Sequence, residues 1–269
     1  MNIYVIVDAE GLCGINKGQQ VEPGDVYYPE MCRYMAMEIN ACVAGLKEGG
    51  ADKVFVHDTH GGITNARLEN LTDEATGYVC SPGGYKRFES IEECDGLVLL
   101  GYHAMAGTPN AVLEHTFSAE RWQNFWINGK KAGELAFDAA VAGSYGVPVI
   151  MASGDDALCR EAVATLGREV VTCEVKKGLW TFGAVHLPLR VGHALVRQRA
   201  REAALKLKAG GAFKPYNVGS PVTLRLELVE RGKPPIPATK PYMTRIDART
   251  YEVVGDTPEE AFLRLEDWG

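Results

Sequence analysis

The first two-thirds of the chain alternates short apolar runs with segments whose apolar residues recur every three or four positions. The apolar runs lie at residues 2–7, 54–56, 97–100 and 147–152. Segments of helical periodicity over 31–46 and 134–142 lie between them. This alternation is typical of a largely parallel sheet flanked by helices, so we predict an α/β domain over residues 1–175.

The remaining residues follow a different pattern. They predict a helix over 187–208, a strand over 222–228, a loop with four prolines over 231–241, a strand over 251–254 and a final helix after residue 257. The strand at 222–228 alternates apolar and polar residues, which is typical of a half-buried antiparallel or edge strand. Thr257 and Glu260 have the spacing of a capping box at a helix start. We therefore predict a smaller α+β domain over residues 176–269.

Side chains that can bind metals or carry protons follow several of the apolar runs. Asp8 and Glu10 follow the first run, His57, Asp58 and His60 the second, His103 the third, and Asp155 and Asp156 the fourth. Ligands of open parallel sheets bind beyond the carboxyl ends of the strands. We therefore expect these side chains to converge at one edge of the sheet.

The types of these residues favour a zinc site. Asp8 and Glu10 are two positions apart in an extended segment, so both carboxylates point to one site, where a cation would offset their repulsion. Imidazoles from His60 and His103 add the nitrogen ligands that zinc prefers and that an all-oxygen magnesium site does not need. Glu134, at a predicted helix start, is a fifth candidate ligand, although a carboxylate there also stabilises the helix dipole.

Several other residues have structural interpretations beside the functional ones. Asp155 and Asp156 could bind a substrate amine or could equally cap the following helix. His57 could orient a metal ligand. Trp122 and Trp126 could line a pocket, but aromatic core packing is the better interpretation.

The composition restricts the class of protein. With a net charge of −7, a pI near 5.5 and no long Lys/Arg block, the chain is not expected to bind nucleic acid. No stretch reaches the ~18–20 apolar residues that a membrane span requires, so no membrane partner is expected. Seven cysteines are scattered without a C-x-x-C pair, which fits a reducing compartment, and we predict a cytoplasmic protein.

Six motifs, in order along the chain, resemble the M55 family of D-aminopeptidases. They are VDAEG at 7–11, HDTH at 57–60, GYHAMAGTP at 101–109, EHT at 114–116, AGEL at 132–135 and ASGDD at 152–156. The resemblance implies two zinc ions bridged by Asp8, and Mn²⁺ or Co²⁺ could take their place. By the same resemblance, Glu10 and His60 complete the site of one ion. His103 and Glu134 complete the site of the other.

The resemblance also implies an activity and an assembly. Members of the family hydrolyse short peptides with an N-terminal D-residue, such as D-Ala-D-Ala, and form homodecamers of two stacked pentamers. His115, in the EHT motif, matches the proposed catalytic residue of the family. We expect a metal-activated water to attack the peptide carbonyl while His115 carries a proton or stabilises the oxyanion, and direct attack by His115 stays open.

Two other functions fit the same residues. A binuclear-metal phosphoesterase also uses Asp, His and Glu at strand ends, but its substrate usually needs Arg, Lys or a glycine-rich cradle, and only Arg121 lies close by in sequence. The other is a catalytically inactive, metal-dependent peptide-binding protein. The presence of all five candidate ligands together with His115 argues against this second alternative.

Overall fold

The chain forms two β-sheets with helices packed against them. The computed structural model describes residues 1–62, 64–80, 86–231 and 240–265. The strands are β1 (Asn2–Val7), β2 (Lys53–Asp58), β3 (Gly77–Val79), β4 (Gly96–Leu100), β5 (Trp122–Ile127), β6 (Lys130–Lys131), β7 (Val149–Asp155), β8 (Val171–Trp180), β9 (Gly183–His186), β10 (Val222–Leu228), β11 (Met243–Arg245) and β12 (Thr250–Gly255). The helices are α1 (Gly18–Val21), α2 (Tyr28–Glu48), α3 (Glu134–Ser144), α4 (Asp156–Leu166), α5 (Leu189–Lys208) and α6 (Pro258–Leu265).

The larger sheet is mostly parallel and has the strand order β3-β2-β1-β4-β7-β8-β9. Its first strand, β1, pairs in parallel with both β2 and β4 and therefore lies inside the sheet. The parallel pairing continues through β7 to β8, and β9 closes the edge as an antiparallel hairpin with β8. The predicted α/β class, with a largely parallel sheet flanked by helices, is confirmed.

The side chains of β1 alternate between two cores on opposite faces of this sheet. Ile3, Val5 and Val7 belong to the core that includes residues of α2 and α5. Tyr4 and Ile6 belong to the other core, together with residues of α3 and of the second sheet. Because both faces are covered, β1 is apolar at every position from 3 to 7 instead of alternating with polar residues.

The second sheet is antiparallel, with the strand order β11-β12-β10-β5-β6. Its central strand, β10, has the predicted alternation, with its apolar side chains buried. The sequence pattern does not predict β5, because Gln123 and Asn124 interrupt its apolar residues. Since β5 lies before residue 175 and pairs with β10, strands from both parts of the chain build this sheet, and the division at residue 175 stays a prediction.

The predicted helices lie close to their expected positions. The helical pattern over 31–46 lies within α2, and the segment predicted over 187–208 forms α5. Before α6, the Glu260 amide donates to Thr257 Oγ1 at 3.1 Å, as the capping spacing predicted. Most of the proline-rich loop predicted over 231–241 lies outside the described residues. Among the helices of the described ranges, none is long and apolar enough to cross a membrane.

Candidate metal centre

The side chains that follow β1, β2 and β4 converge at one edge of the larger sheet, as expected. Asp8, Glu10 and His60 line a cavity of about 800 Å³, together with Glu134 at the first turn of α3. His103 lies beneath them and is 2% exposed. The structure thus brings together all five side chains that the sequence singled out as candidate ligands.

The five side chains form two groups of donor atoms that share Asp8. In one group, His60 Nδ1 lies 3.1 Å from Asp8 Oδ1 and 3.3 Å from Glu10 Oε2. In the other, His103 Nε2 lies 3.3 Å from Asp8 Oδ2 and 3.3 Å from Glu134 Oε1. The two oxygens of Asp8 therefore face different groups.

These distances fit a cation at each group. Ligand atoms about 2.0–2.1 Å from a tetrahedral zinc ion lie roughly 3.3 Å from one another, which matches the separations of 3.1–3.3 Å found here. Glu10 Oε2 and His103 Nε2 are buried and have no hydrogen-bond partner among the residues that the structure describes. Buried polar atoms rarely stay unsatisfied, so both atoms are suited to a metal ion.

Hydrogen bonds to main-chain carbonyls orient the imidazoles. His60 Nε2 lies 2.9 Å from the Val21 carbonyl oxygen, and His103 Nδ1 lies 3.0 Å from that of Ala104. If these nitrogens carry the ring protons, His60 Nδ1 and His103 Nε2 each keep a lone pair directed at the carboxylates. Metal-binding histidines are commonly fixed in this way by their second nitrogen.

Without a cation, the carboxylates and imidazoles of the centre perturb one another. Burial alone would raise the pKa of Asp8, but the neighbouring His103 and His60 hold it well below its usual range. Burial alone would lower the pKa of His60, but Glu10 and Asp8 raise it well above its usual value. Glu134 and Asp8 raise the pKa of His103 in the same way. The centre therefore holds protons on nitrogens that a metal ion would displace.

His115 lies beside the second group. Its ring stacks on that of His103, with the ring centroids 3.9 Å apart and an angle of 12° between the planes. His115 Nδ1 lies 2.8 Å from the Leu113 carbonyl oxygen, and His115 Nε2 lies 3.8 Å from Glu134 Oε1. Donor atoms of His103, His115 and Glu134 all fall within 4.8 Å of one another. By geometry alone His115 could therefore serve as a ligand or as a proton carrier.

Two glycines allow the end of β4 to lie against the segment after β1. Gly101 has a φ of +71°, and a Cβ there would lie 2.3 Å from the Asp8 carbonyl oxygen. A Cβ on Gly11 would lie 1.9 Å from the Tyr102 carbonyl oxygen. A larger residue at either position would separate the two segments, and with them Asp8 from His103.

A buried ammonium holds the segment that carries Glu10. Lys176, in β8, is 2% exposed and donates to the main-chain carbonyls of Glu10, of Leu12 at 3.0 Å and of Ile15 at 2.6 Å. Three carbonyls satisfy the three N–H donors of an ammonium. This residue could not be predicted, because the pair Lys176-Lys177 carries no local signal that one of the two is buried.

Asp58 shapes the segment that carries His60. Its carboxylate accepts hydrogen bonds from the backbone amides of Asn65 at 2.5 Å and Ala66 at 3.0 Å. The Asn65 side chain donates to Asp58 at 2.8 Å and to the His60 carbonyl oxygen at 2.9 Å. Asp58 thus supports the centre through the backbone instead of belonging to either donor group.

The structural interpretation holds for Asp155, the last residue of β7, and for Asp156 after it. Asp155 is the N-cap of α4, where its side chain accepts from the Leu158 amide at 2.8 Å and from the Val112 amide at 2.7 Å. Asp156 accepts from the Gly178 amide at 2.8 Å. Trp122 is buried in the aromatic core, in keeping with the preferred interpretation. Neither aspartate lines the cavity beside the metal centre.

Comparisons with known proteins agree with this fold and identify a family. A family model described as D-aminopeptidase, peptidase family M55, matches residues 1–266. A D-aminopeptidase of Bacillus subtilis (strain 168) is 32% identical over 238 residues, which cover 87% of this chain and 83% of the relative. The solved structure of the Zn-dependent D-aminopeptidase DppA from Bacillus subtilis, described as a self-compartmentalizing protease, matches with a TM-score of 0.92 at 27% identity. That match covers 100% of this chain and 96% of DppA.

A carboxylate–imidazole centre of this kind in an α/β protein is suited to a metal-dependent hydrolase, the class that the motifs predicted. The chain belongs to the M55 peptidase family of D-aminopeptidases. The predicted membership and the predicted enzyme class, an aminopeptidase hydrolase, are confirmed.

Proposed function

We propose that this protein is a dizinc aminopeptidase that removes the N-terminal residue of short peptides, with D-residue peptides such as D-Ala-D-Ala as its substrates. The observation that carries the proposal is the pair of donor groups that share Asp8, with separations of 3.1–3.3 Å. Family membership supports the peptide substrate, and the Zn-dependence of DppA supports the metal.

In this proposal Asp8 would help to hold both metal ions. Glu10 and His60 would hold one ion with it, and His103 and Glu134 would hold the other. Bound zinc would lower the pKa of water toward ~7 and polarise the scissile carbonyl, and Mn²⁺ or Co²⁺ could supply the same chemistry.

The protein residues hold the reactants and move the proton. We assign this transfer to His115, because the Leu113 carbonyl oxygen orients its Nδ1 and its Nε2 is directed toward Glu134 in the cavity. During hydrolysis a water oxygen bonds to the carbonyl carbon and the C–N bond breaks. His115 Nε2 takes a proton from the water and gives it to the leaving amine, so its protonation state is restored after each turnover.

The cellular setting is part of the same proposal. We place the enzyme in the cytoplasm, as a homodecamer of two stacked pentamers. All seven cysteines are free, which suits a reducing compartment, and DppA is described as self-compartmentalizing. Native mass spectrometry of the metal-loaded protein would test the decamer. A mass other than that of ten chains would contradict it.

The experiment that tests the catalytic proposal compares matched L,L- and D,D-dialanine. The purified protein is assayed with and without a chelator, and its metal content per chain is measured in parallel. We expect chelator-sensitive cleavage of the D,D-peptide with about two zinc ions bound. Two bound metal ions without a preference for the D,D-peptide would support the metal centre but not the proposed substrate. A chromogenic phosphate ester in the same assay tests the phosphoesterase alternative.

A further inference from the structure

The cavity beside the metal centre also contains a guanidinium whose donors are only partly used. Arg87 lines the cavity, with its Nε donating to Asp138 Oδ1 at 2.7 Å and its Nη2 to Asp138 Oδ2 at 2.9 Å. A guanidinium has five N–H donors, and this fork engages only two of them. Within the described parts of the chain, Nη1 of Arg87 donates no hydrogen bond.

Arg87 is held rigidly by its surroundings. Asp138 is 0% exposed and also accepts the Tyr102 hydroxyl at 2.6 Å, so the carboxylate that anchors the guanidinium is itself fixed. The Phe117 ring lies 5.9 Å from Arg87 Cζ. The Arg87 side chain nevertheless keeps 21% of its surface exposed, and the cavity is the space that it lines. The free edge of the guanidinium can therefore meet a bound molecule without a rearrangement.

Helix α3 determines how far this guanidinium lies from the metal centre. Glu134, in the second donor group, and Asp138, the anchor of Arg87, are four residues apart on α3 and so have Cβ atoms about 5–6 Å apart. One extended residue spans roughly 3.3–3.6 Å. A peptide whose scissile bond lies at the metals therefore brings its carboxyl end to Arg87 after about one to three residues.

Two further charged residues of the cavity lining, Glu259 and Lys86, lie next to Arg87 in space or in sequence. Glu259 lines the cavity, but its carboxylate accepts the Arg87 backbone amide and, at 2.9 Å, the Tyr145 hydroxyl. Lys86 adds a second cation to the lining, 3.5 Å from Glu92. An anionic group entering here would meet the free donors of Arg87.

We propose that Arg87 binds the C-terminal carboxylate of the peptide substrate and thereby selects short peptides with a free carboxyl end. This inference rests on the proposed peptidase function and adds a substrate subsite to it. The contrasting interpretation is that Arg87 only neutralises the buried charge of Asp138. That role would affect substrates with and without a carboxylate equally.

The test compares D-alanine peptides of two to four residues, which place the carboxyl end about one to three residues beyond the scissile bond, with their C-terminal amides, which lack the negative charge. We expect the wild-type enzyme to have a kcat/KM about 10- to 100-fold higher for the free acid, as a charge-assisted hydrogen-bonded pair warrants. Calorimetric binding of the acids and the amides to the metal-free protein gives a second readout that does not depend on turnover.

Three variants distinguish the subsite from a structural role. Arg87→Met combined with Asp138→Asn removes the guanidinium without leaving a buried carboxylate unpaired. Arg87→Lys keeps a cation beside Asp138 but loses the two-pronged guanidinium geometry. It serves as the test if the double variant does not fold. Lys86→Met is the matched control, because it removes the neighbouring cation of the same cavity. Metal content is measured for each.

We expect the preference for the acid to fall to about 1 in the double variant and to drop at least several-fold in Arg87→Lys. Cleavage of the amide and the metal content should stay near wild type, and Lys86→Met should keep the preference. Three results would each overturn the subsite while leaving the peptidase proposal intact. They are equal cleavage of acid and amide by the wild type, an unchanged preference for the acid in the Arg87 variants, and loss of that preference in Lys86→Met. Arg87-dependent binding of the acid without cleavage of any D-peptide would instead support the subsite and refute the peptidase.

Discussion

The ring of His115 is close enough to the second donor group that its role must be separated from that of a ligand. Its Nε2 lies 3.8 Å from Glu134 Oε1, farther than the 3.3 Å that joins His103 Nε2 to the same oxygen. The longer separation is compatible with a group that exchanges protons at the edge of the centre. Asp8, in contrast, contributes an oxygen to both groups.

Replacing His115 should therefore affect turnover and not metal binding. For His115→Ala we expect kcat to fall about 10²- to 10⁴-fold because the proton carrier is lost. Metal content measured by atomic emission should stay near wild type. Asp8→Ala is the contrasting variant and should lose metal together with activity. Loss of metal from His115→Ala would show that His115 is a ligand and that the proton-transfer assignment is wrong.

The imidazoles of the centre should release protons when zinc binds. The pKa values of His60 and His103 lie well above the ordinary 6.5 because Glu10, Asp8 and Glu134 outweigh the effect of burial. Both rings are thus protonated in the metal-free protein at neutral pH, and a bound metal requires their neutral form. Zinc affinity should consequently rise with pH above 6.5 until these groups have titrated.

Calorimetry in buffers of different ionisation enthalpy measures this exchange directly. About two protons should be released per chain on saturation with zinc at pH 7. His193→Gln is a suitable control, because that histidine belongs to neither donor group and its replacement should leave the count unchanged. A proton count near zero would mean that the rings are already neutral before the metal arrives.

At the scale of elements, the segment after β1 depends on a residue from a distant strand. Lys176 should be a positioning residue for Glu10, whose carbonyl it binds together with those of Leu12 and Ile15. Lys176→Met would leave three buried carbonyls without a donor, each at a cost of about 1–3 kcal/mol. We expect loss of stability and a selective loss of the metal that Glu10 is proposed to bind.

Lys177→Met is the matched control, because Lys177 is the next residue of β8 and is exposed. Zinc titration against a chromogenic chelator should give about two sites for this control and about one for Lys176→Met. Two sites of unchanged affinity in a folded Lys176→Met protein would refute the positioning role. Uniform weakening of both sites would point to a general loss of stability instead.

Helix α2 buries a carboxyl group that should make stability depend on pH. Burial raises the pKa of Glu38 from 4.5 to about 7, against the lowering effects of the Cys13 amide, which donates to it at 2.9 Å, and of Lys176. The folded state therefore keeps a proton that the unfolded state has lost between pH 4.5 and 7. The contribution of this group to stability is thus greatest below pH 4.5 and decreases as pH rises to about 7.

Glu38→Gln should remove that pH dependence. Relative to wild type, its free energy of unfolding should be near equal at pH 4.5 and higher by up to about 3 kcal/mol at pH 8. Urea unfolding of the metal-free proteins at several pH values measures the difference. Glu48→Gln, on the same helix but exposed, should shift stability by no more than about 0.5 kcal/mol at any pH. A Glu38→Gln protein destabilised equally at every pH would show that the carboxyl group acts through its hydrogen bond alone.

The elements that local patterns define were predictable, and so was the place where they meet. The apolar runs of β1, β2 and β4 and the residues after them led to four of the five side chains of the centre, because side chains at the ends of parallel strands converge. The fifth, Glu134, came from the predicted start of α3. The bridging position of Asp8 came from family resemblance. Contacts between distant segments were not predictable: neither the carbonyls around Lys176 nor the entry of Arg87 into the cavity has a local signal.

At the scale of the whole molecule, the centre lies at the carboxyl end of β1, whose side chains belong to the cores on both faces of the larger sheet. The carboxyl end of β1 carries Asp8, and α3, which begins with Glu134, packs in the core that joins the two sheets. Two of the proposed ligands therefore depend on the packing of the whole molecule. Unfolding would separate Asp8 from Glu134 and would destroy both donor groups at once.

Removal of the metals should for this reason destabilise the whole fold. Metal binds the folded state and not the dispersed ligands, so zinc at about 1,000 times its Kd should add about 4 kcal/mol of stability. Without metal, the imidazolium charges of His60 and His103 must offset the buried carboxylates of Asp8, Glu10 and Glu134. Calorimetric melting of chelator-treated protein should give a lower Tm than the zinc-loaded form, and added zinc should restore it. In Asp8→Ala the zinc-dependent increase in Tm should largely disappear. If the Tm of the wild-type protein did not change with zinc, metal binding would contribute nothing to the stability of the fold.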